Sequence, residues 1–322
     1  MDYVRLGRAG VKVSRLCLGT AFRGYWHGIT DEATAIRTVA AAIDHGINFI
    51  DSANYYYQGR CEELLGKAIQ NKREDLVITT KVWSPVGAGP NDRGLSRFHI
   101  MREIERSLER LKTDYVDIYL MHHWDGDTEL DESLRALDDL VRQGKVRYVG
   151  ACNWTAAQVI EGLWTADRNS LDPLYVLQNQ YNILNRWEIE PELVPLCHQY
   201  GLGMMTFSPL AVGLLTGRFR RGQTPPEGTH WSGNERFAQA LDEKNDRIVQ
   251  ALIDIGQAQG KTPAQVAIAW ILANGGVTAP IIGPDLPEHV EEVVGALDVE
   301  LGAEDLQVLD QLSQWESLQR TH

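Results

Sequence analysis

Ile47-Asn48-Phe49-Ile50-Asp51-Ser52-Ala53-Asn54-Tyr55-Tyr56-Tyr57-Gln58-Gly59-Arg60-Cys61-Glu62-Glu63 is the stretch on which the reading of the chain turns. It begins as a short apolar run, the mark of a strand buried on both faces. It then becomes a polar loop with three tyrosines and a glycine, and Glu62-Glu63-Leu64-Leu65 opens a helix. Asp51 falls where the apolar run stops, at the C-terminal mouth of the strand. That mouth is where α/β sheets and barrels carry their chemistry. Taken alone, Asp51 reads equally as a turn cap and the tyrosines as loop surface, so the flanking sequence has to decide.

Upstream, Tyr3–Leu6 and Val11–Ser14 alternate at period two around Gly7-Arg8-Ala9-Gly10, which predicts a β-hairpin. Leu16–Thr20 reads as a strand, and Asp31–His45 carries helical spacing that closes at Gly46. Downstream the rhythm repeats. Further strands are expected at Leu76–Lys81, Tyr115–His122, Val146–Asn153, Tyr175–Gln178, Gly203–Ser208 and Thr278–Gly283. Helices are expected at Glu62–Gln70, Arg97–Leu111, Asp131–Gln143, from Thr155, near Glu190–Tyr200, at Ala240–Gln259 and Pro263–Ala273, and from Pro287 and Ala303. Eight strands, each followed by a helix, predict a single α/β domain over residues 1–322, a (β/α)8 TIM barrel with an N-terminal hairpin. The polar loop after the seventh barrel strand, Gly217 to about Gln239, is long enough to serve as a lid or ligand clamp.

Composition narrows the function. Apolar residues make up 43% and charged residues 23%, as in a soluble globular protein with a sizeable core. A net charge of -13 argues against nucleic acid or an anionic membrane as partner. No apolar run approaches the roughly 18 residues of a membrane span. Met1–Leu6 lacks the basic start and apolar centre of a signal peptide. Cys17, Cys61, Cys152 and Cys197 show no metal-ligand spacing, so the expectation is reduced thiols and a cytoplasmic protein. The sequence leaves the oligomeric state open.

Polar residues that interrupt the strands fall repeatedly at their C-terminal ends: Asp51, Lys81, His122, Asn153, Gln178 and Ser208. Lys81 closes an apolar run and is costly to bury unpaired; Asp51 on the neighbouring strand can pair with it. A tyrosine beside that lysine would have its phenolate favoured and its pKa lowered, and could exchange a proton with a carbonyl oxygen. His122 could hydrogen-bond and position that oxygen. The pattern predicts chemistry at a carbonyl.

In order along the chain, Asp-Ser-Ala-x-x-Tyr at 51–56 with Glu62, Thr80-Lys81, Asp-x-Tyr-x-x-His at 117–122 and Gly-x-x-Asn at 150–153 resemble the aldo-keto reductases. So do Gln178-Asn179-x-Tyr181-Asn182 and Ser208-Pro209-Leu210-x-x-Gly213-Leu214-Leu215-Thr216-Gly217. The loop Gly89-Pro90-Asn91-Asp92-Arg93-Gly94-Leu95-Ser96-Arg97 is similar to members known as aryl-alcohol dehydrogenases or oxidoreductases. The resemblance implies a catalytic tetrad of Asp51, Tyr56, Lys81 and His122, with Tyr56 as general acid–base. Tyr57 departs from the glycine common at its position. A nicotinamide dinucleotide is the implied cofactor. Asn153 and Gln178 match the carboxamide anchors, Phe207 the ring that stacks on nicotinamide, and Cys152 stands in place of the usual serine. Ser208, Pro209, Leu210, Gly213, Leu214 and Arg218 match the pyrophosphate loop; Gly19, Thr20, Gly283, Asp285, His289 and Glu292 complete the implied cofactor site.

Most of that family prefers the phosphorylated cofactor. Here Gly283–Val293 contains no Lys, Arg, Ser or Thr, and Asp285 and Glu288 add negative charge, so NAD(H) is expected to serve at least as well as NADP(H). The substrate is expected to be a small carbonyl or alcohol, either sugar or aryl, met by Trp26, His27, Tyr55, Tyr57, Trp83, His123 and Trp124. His123, next to His122 on a strand, is expected on the opposite face, as a structural or rim residue. Two other readings stand beside this one. A metal-dependent barrel hydrolase would want His-x-His on an early strand, which Leu16–Thr20 lacks. A cofactor-binding regulatory subunit with little turnover is known among relatives; the full tetrad favours an enzyme.

Overall fold

A computed structural model describes residues 1–314 of the chain. Two short strands, β1 (Tyr3–Arg5) and β2 (Lys12–Ser14), form the antiparallel hairpin. Eight parallel strands then close on themselves: β3 (Cys17–Gly19), β4 (Phe49–Asp51), β5 (Val77–Val82), β6 (Val116–Met121), β7 (Val146–Cys152), β8 (Leu174–Gln180), β9 (Gly203–Phe207) and β10 (Ala279–Ile282). β10 pairs with β3 to complete the ring, and each strand neighbours the next in sequence. This is the expected (β/α)8 barrel.

The helices follow from ordinary capping chemistry. α1 (Arg23–Trp26) is a single turn. α2 (Glu32–Asp44) starts where Asp31 accepts a hydrogen bond from the Thr34 amide. α3 (Arg60–Ala68) and α4 (Arg97–Leu111) pack side by side; α5 (Leu130–Arg142), α6 (Ala156–Arg168) and α7 (Leu193–Tyr200) continue the outer ring. Thr155 and Gln158 form a capping box at α6. The expected helix from Ala240 is divided: α8 (Phe237–Ala240) is one turn, and α9 (Glu243–Gln259) begins afresh because Asp242 caps the Asn245 amide. α10 (Pro263–Ala273), α11 (Pro287–Val294) and α12 (Ala303–Ser313) complete the described chain.

Two layers of apolar packing result. One lies between strands and helices; the other fills the barrel, with Phe49, Val77, Ile118, Leu120, Cys152, Val176 and Met205. Leu6 and Val13 of the hairpin join the inner layer, so β1–β2 plugs the N-terminal end. The active end is therefore the other one. Among the described residues no helix is long and apolar enough to cross a membrane.

α3 can lie against α4 only because residue 66 is glycine. A Cβ there would fall within contact distance of the Arg110 carbonyl oxygen and 2.8 Å from the Leu111 carbonyl carbon. In an exposed helix interior Gly→Ala gains up to about 1 kcal/mol. Here the obstacle is backbone, so the sign reverses. Gly66→Ala should lose about 1–3 kcal/mol, the usual cost of overpacking. The urea midpoint measures it; an unchanged or raised midpoint would contradict the packing argument.

Candidate active site

Alternation along the strands carries the polar set inward. On β4 Phe49 faces the barrel interior and Ile50 the helices, which turns Asp51 inward. On β5 Val77 faces inward and Ile78 and Val82 outward, so Lys81 points in and Thr80 out. On β8 the same count brings Gln178 in behind Val176. Asp51 and Lys81 are the last inward positions of their strands, and Gln178 lies one inward position before the end of β8 at Gln180.

Lys81 is completely buried. An ammonium has three donors, and three acceptors meet it: Asp51 Oδ2 at 2.6 Å, the Ser52 carbonyl oxygen at 2.7 Å and the Tyr56 hydroxyl oxygen at 3.3 Å. Asp51 Oδ1 accepts from Gln178 Nε2 at 2.8 Å. Burial lifts the Asp51 carboxyl above its usual range, against the pull of Lys81 and Gln178. Burial also lowers Lys81, but Asp51 and Tyr56 more than restore it, and its pKa ends above the ordinary lysine value. The two are held as an ion pair.

Tyr56 corrects one expectation. Burial pushes its phenol well above 10; Lys81 lowers it, but by less, and Asp51 raises it further. The hydroxyl is therefore protonated at neutral pH. Its oxygen accepts from Lys81, and its own hydrogen has no acceptor among the described residues.

His122 follows the last residue of β6, and its amide continues the ladder to the Val82 carbonyl at 2.9 Å. Burial lowers its pKa well below 6.5, helped by Lys81 and His123. Nδ1 is buried without a partner, which leaves Nε2 as the ring nitrogen with access to the cleft. The ring stands 6.1 Å from Tyr56 and 5.3 Å from Tyr55. His123 does not lie on the opposite face. Its ring stacks on His122 at 5.3 Å and 11°, and tilts over Trp83 at 4.7 Å. Alternation holds only within a strand, and β6 ends at Met121.

Around this centre lie the residues expected to hold the cofactor. Asn153, in the left-handed region at φ 57°, donates Nδ2 to the His122 carbonyl at 3.0 Å. Gln178 spends its amide hydrogen on Asp51. Both amide groups thus keep their carbonyl oxygens unused, and a carboxamide –NH2 requires acceptors of that kind. Cys152 is buried and neutral, its thiol pushed up by burial. Gly19 lies under the Ile281 side chain, and the Thr20 hydroxyl is spent on the Asp51 carbonyl at 3.0 Å. After Phe207 the chain turns left-handed at Ser208, Ala211, Val212 and Gly213, past Pro209 and Leu210 and into Leu214. Left-handed geometry at so many side-chain-bearing residues is uncommon and clusters at binding loops. These features fit a nicotinamide dinucleotide.

The long loop after β9 is fastened down. The Trp231 indole donates to the Val212 carbonyl at 3.0 Å, and Phe237 packs on Phe219 and Trp231. Arg220 is paired with Asp246, and Arg221 lies against Glu243. Arg218 packs on Phe219 at 5.9 Å and has no carboxylate partner among the described residues. On the far rim, a Cβ at Gly283 would meet open space, while His289 and Glu292 are exposed. Asp285 accepts from the Gly24 amide at 2.8 Å, tying the end of β10 to α1.

Aromatic side chains wall the cleft on two sides. Trp26 stacks on Tyr57 at 5.6 Å, with Tyr25 edge-on at 5.5 Å and His27 exposed beyond. Tyr55 lies against Tyr56 at 5.1 Å. Opposite are Trp83 and His123, and Trp124 packs on buried Trp154 at 4.8 Å. Two supports lie beneath the site: Glu62 and Thr80 belonged to the sequence motif without an assigned role, and the Asn54–Glu103 contact escaped the sequence reading. Asn54 donates to buried Glu103 of α4 at 3.2 Å, and buried Glu62 accepts from Thr80 at 2.5 Å and Arg110 at 2.7 Å. Asn54 and Glu103 are 49 residues apart, and no local pattern links them.

Comparison with known proteins agrees with this fold. Residues 15–314 match the model of the aldo/keto reductase family. The uncharacterized oxidoreductase YrpG of Bacillus subtilis (strain 168) is 38% identical over 97% of this chain and 96% of its own length. Proteins from Arabidopsis thaliana and Oryza sativa subsp. japonica, each named a probable voltage-gated potassium channel subunit beta, are 38% and 37% identical over 93% of this chain and 92% of theirs. A family match over almost the whole chain and relatives this similar along more than nine-tenths of their own length lead to one conclusion: the chain belongs to the aldo/keto reductase family.

Proposed function

We propose that the protein is a nicotinamide-dependent carbonyl reductase that interconverts a sugar or aryl carbonyl and its alcohol, with Tyr56 as general acid–base. The observation that carries this reading is the donor count at Lys81. Its third hydrogen goes to the Tyr56 oxygen, and Tyr56 keeps its own hydrogen for the cleft. A neutral phenol beside an ammonium can protonate a carbonyl oxygen as negative charge develops on it. His122, neutral and open at Nε2, supplies a second contact that fixes the oxygen. Asp51 holds Lys81 in place and, through Gln178, is joined to the carboxamide anchor. When bound, the nicotinamide supplies the hydride for the carbonyl carbon.

On the cofactor, the reading is that NAD(H) serves at least as well as NADP(H), although the family generally uses NADPH. Gly283–Val293 carries no Lys or Arg, and Asp285 is fixed at that rim by Gly24. Arg220 and Arg221 are engaged with acids of α9, while Arg218 has no acidic partner among the described residues. The names of the two plant relatives favour a second reading, a cofactor-binding subunit with little turnover.

Tyr56→Phe should cut turnover by about 10²–10⁴, the usual worth of a positioned acid–base, while dinucleotide affinity stays within a few-fold. Steady-state rates with an aldehyde panel and cofactor titration by fluorescence measure both. A variant within about tenfold of wild type would remove Tyr56 from the mechanism. Cofactor binding without consumption across the panel would favour the subunit reading.

Comparing kcat/KM for NADH and NADPH with one substrate tests the cofactor assignment. The expected ratio is at least one; a tenfold preference for NADPH would overturn the role given to Asp285.

pH gives a further check. His122 in the folded state binds its proton less readily than the unfolded residue near 6.5. Its contribution is fully present above about pH 6.5 and is lost as pH falls below it, because the unfolded chain takes up the proton first. His99 and His123, also lowered by burial, act in the same direction. Unfolding free energy should therefore be lower at pH 5.5 than at pH 7.5, and His122→Asn should shrink that difference. An unchanged difference in the variant would show that His122 titrates normally.

A further inference from the structure

The loop between β5 and α4 is built to hold one cation at the mouth of the cleft. Trp83, the first residue after β5, sits at φ 150°, a backbone region a tryptophan rarely adopts. Its carbonyl accepts from the Gly94 amide at 2.8 Å, which closes the loop over residues 84–93. Both flanks of Arg93 within that loop are fastened. Asp92 accepts from the Gly89 amide and from Arg102, each at 2.8 Å, and its own carbonyl receives the Val86 amide. On the other side the Leu95 amide donates to Asp125 at 2.6 Å, and Ser133 donates to the Leu95 carbonyl at 2.8 Å.

Arg93 itself is exposed, with its guanidinium over the Trp83 ring at 5.7 Å. Trp83 in turn packs on His123, and His123 on His122. Among the described residues no carboxylate lies within ion-pair distance of Arg93. Its neighbours differ: Arg97 pairs with Asp139, Arg102 with Asp92 and Glu103, and Arg106 with Glu103. The acids closest in the fold are already engaged, Asp92 as above and Asp125 by the Leu95 amide and the Thr128 hydroxyl. In a chain of net charge -13, an uncompensated guanidinium stacked at the rim of the cleft has the attributes of an anion receptor.

We infer that Arg93 is a specificity-determining residue that receives an oxyanion, carboxylate or phosphate, carried by the substrate at the end remote from the reacting carbonyl. This rests on the carbonyl-reductase reading and narrows its substrate class to anionic aryl or sugar carbonyls. Trp83 and His123 form the ring-bearing path between the reacting oxygen and the cation, and the guanidinium fork matches the two oxygens of a carboxylate.

The test compares 4-formylbenzoate, 4-formylphenyl phosphate and neutral 4-methylbenzaldehyde with wild type, Arg93→Gln and Arg93→Lys. Wild type should favour one or both anions over the neutral aldehyde by at least about tenfold in kcat/KM, the worth of one charge-assisted contact. The two anionic arms show whether carboxylate or phosphate is read. Arg93→Gln should abolish the preference and leave the neutral aldehyde unchanged; Arg93→Lys should keep part of it. The preference should shrink with rising salt. An equal preference in Arg93→Gln would overturn the inference while leaving the reductase reading intact. Turnover of none of the three would count against the reductase reading, and calorimetric titration with terephthalate then reads the anion site without chemistry. Weaker binding to Arg93→Gln would uphold the receptor, and equal binding would overturn it.

Discussion

An ammonium group buried in the mouth of a parallel barrel sets the terms for everything around it. Lys81 has no water to donate to, and a buried charge left unpaired would cost several kcal/mol. Its three hydrogens therefore fix three acceptors on one side of the cleft: a carboxylate, a main-chain carbonyl and a phenol. Asp51 in turn requires a second donor for its other oxygen, which Gln178 provides from across the barrel. The consequence is rigidity at the position where a reacting oxygen would sit. Asn54 and Glu103 extend the anchoring from the tyrosine loop to α4.

The same cation explains why burial and charge act differently on neighbouring groups. Burial, with Lys81 acting in the same direction, lowers His122 and keeps it neutral, as a hydrogen-bonding imidazole rather than an acid. Lys81 pulls Tyr56 down as well, but there desolvation outweighs it. Each result follows from which charge state burial penalises: phenolate for one, imidazolium for the other. The proposed reaction uses both groups in their neutral forms.

In the proposed function, substrate discrimination falls to a different layer. Tyr57 adopts a left-handed backbone, and the ring thus placed stacks on Trp26. Trp83 bears a comparable strain on the opposite wall. Strain of this kind persists only where surrounding structure fixes it, and here it orients aromatic faces at the cleft.

Residue order alone determined the alternation of strands and helices, the hairpin and the placement of Asp51, Lys81, His122 and Gln178 toward the C-terminal mouth of the barrel. These are period and punctuation signals, written locally in apolar runs and in caps such as Asp31 and Thr155. Only the tertiary structure decided what depends on distance. His123 joined the cleft because β6 stops one residue before His122, a boundary no local pattern fixes. The Tyr56 pKa rose because burial, invisible in sequence, exceeded a Coulomb attraction that sequence could name. Glu103 became part of the support because α4 packs against the loop holding Asn54, and that contact exists only once the barrel has closed.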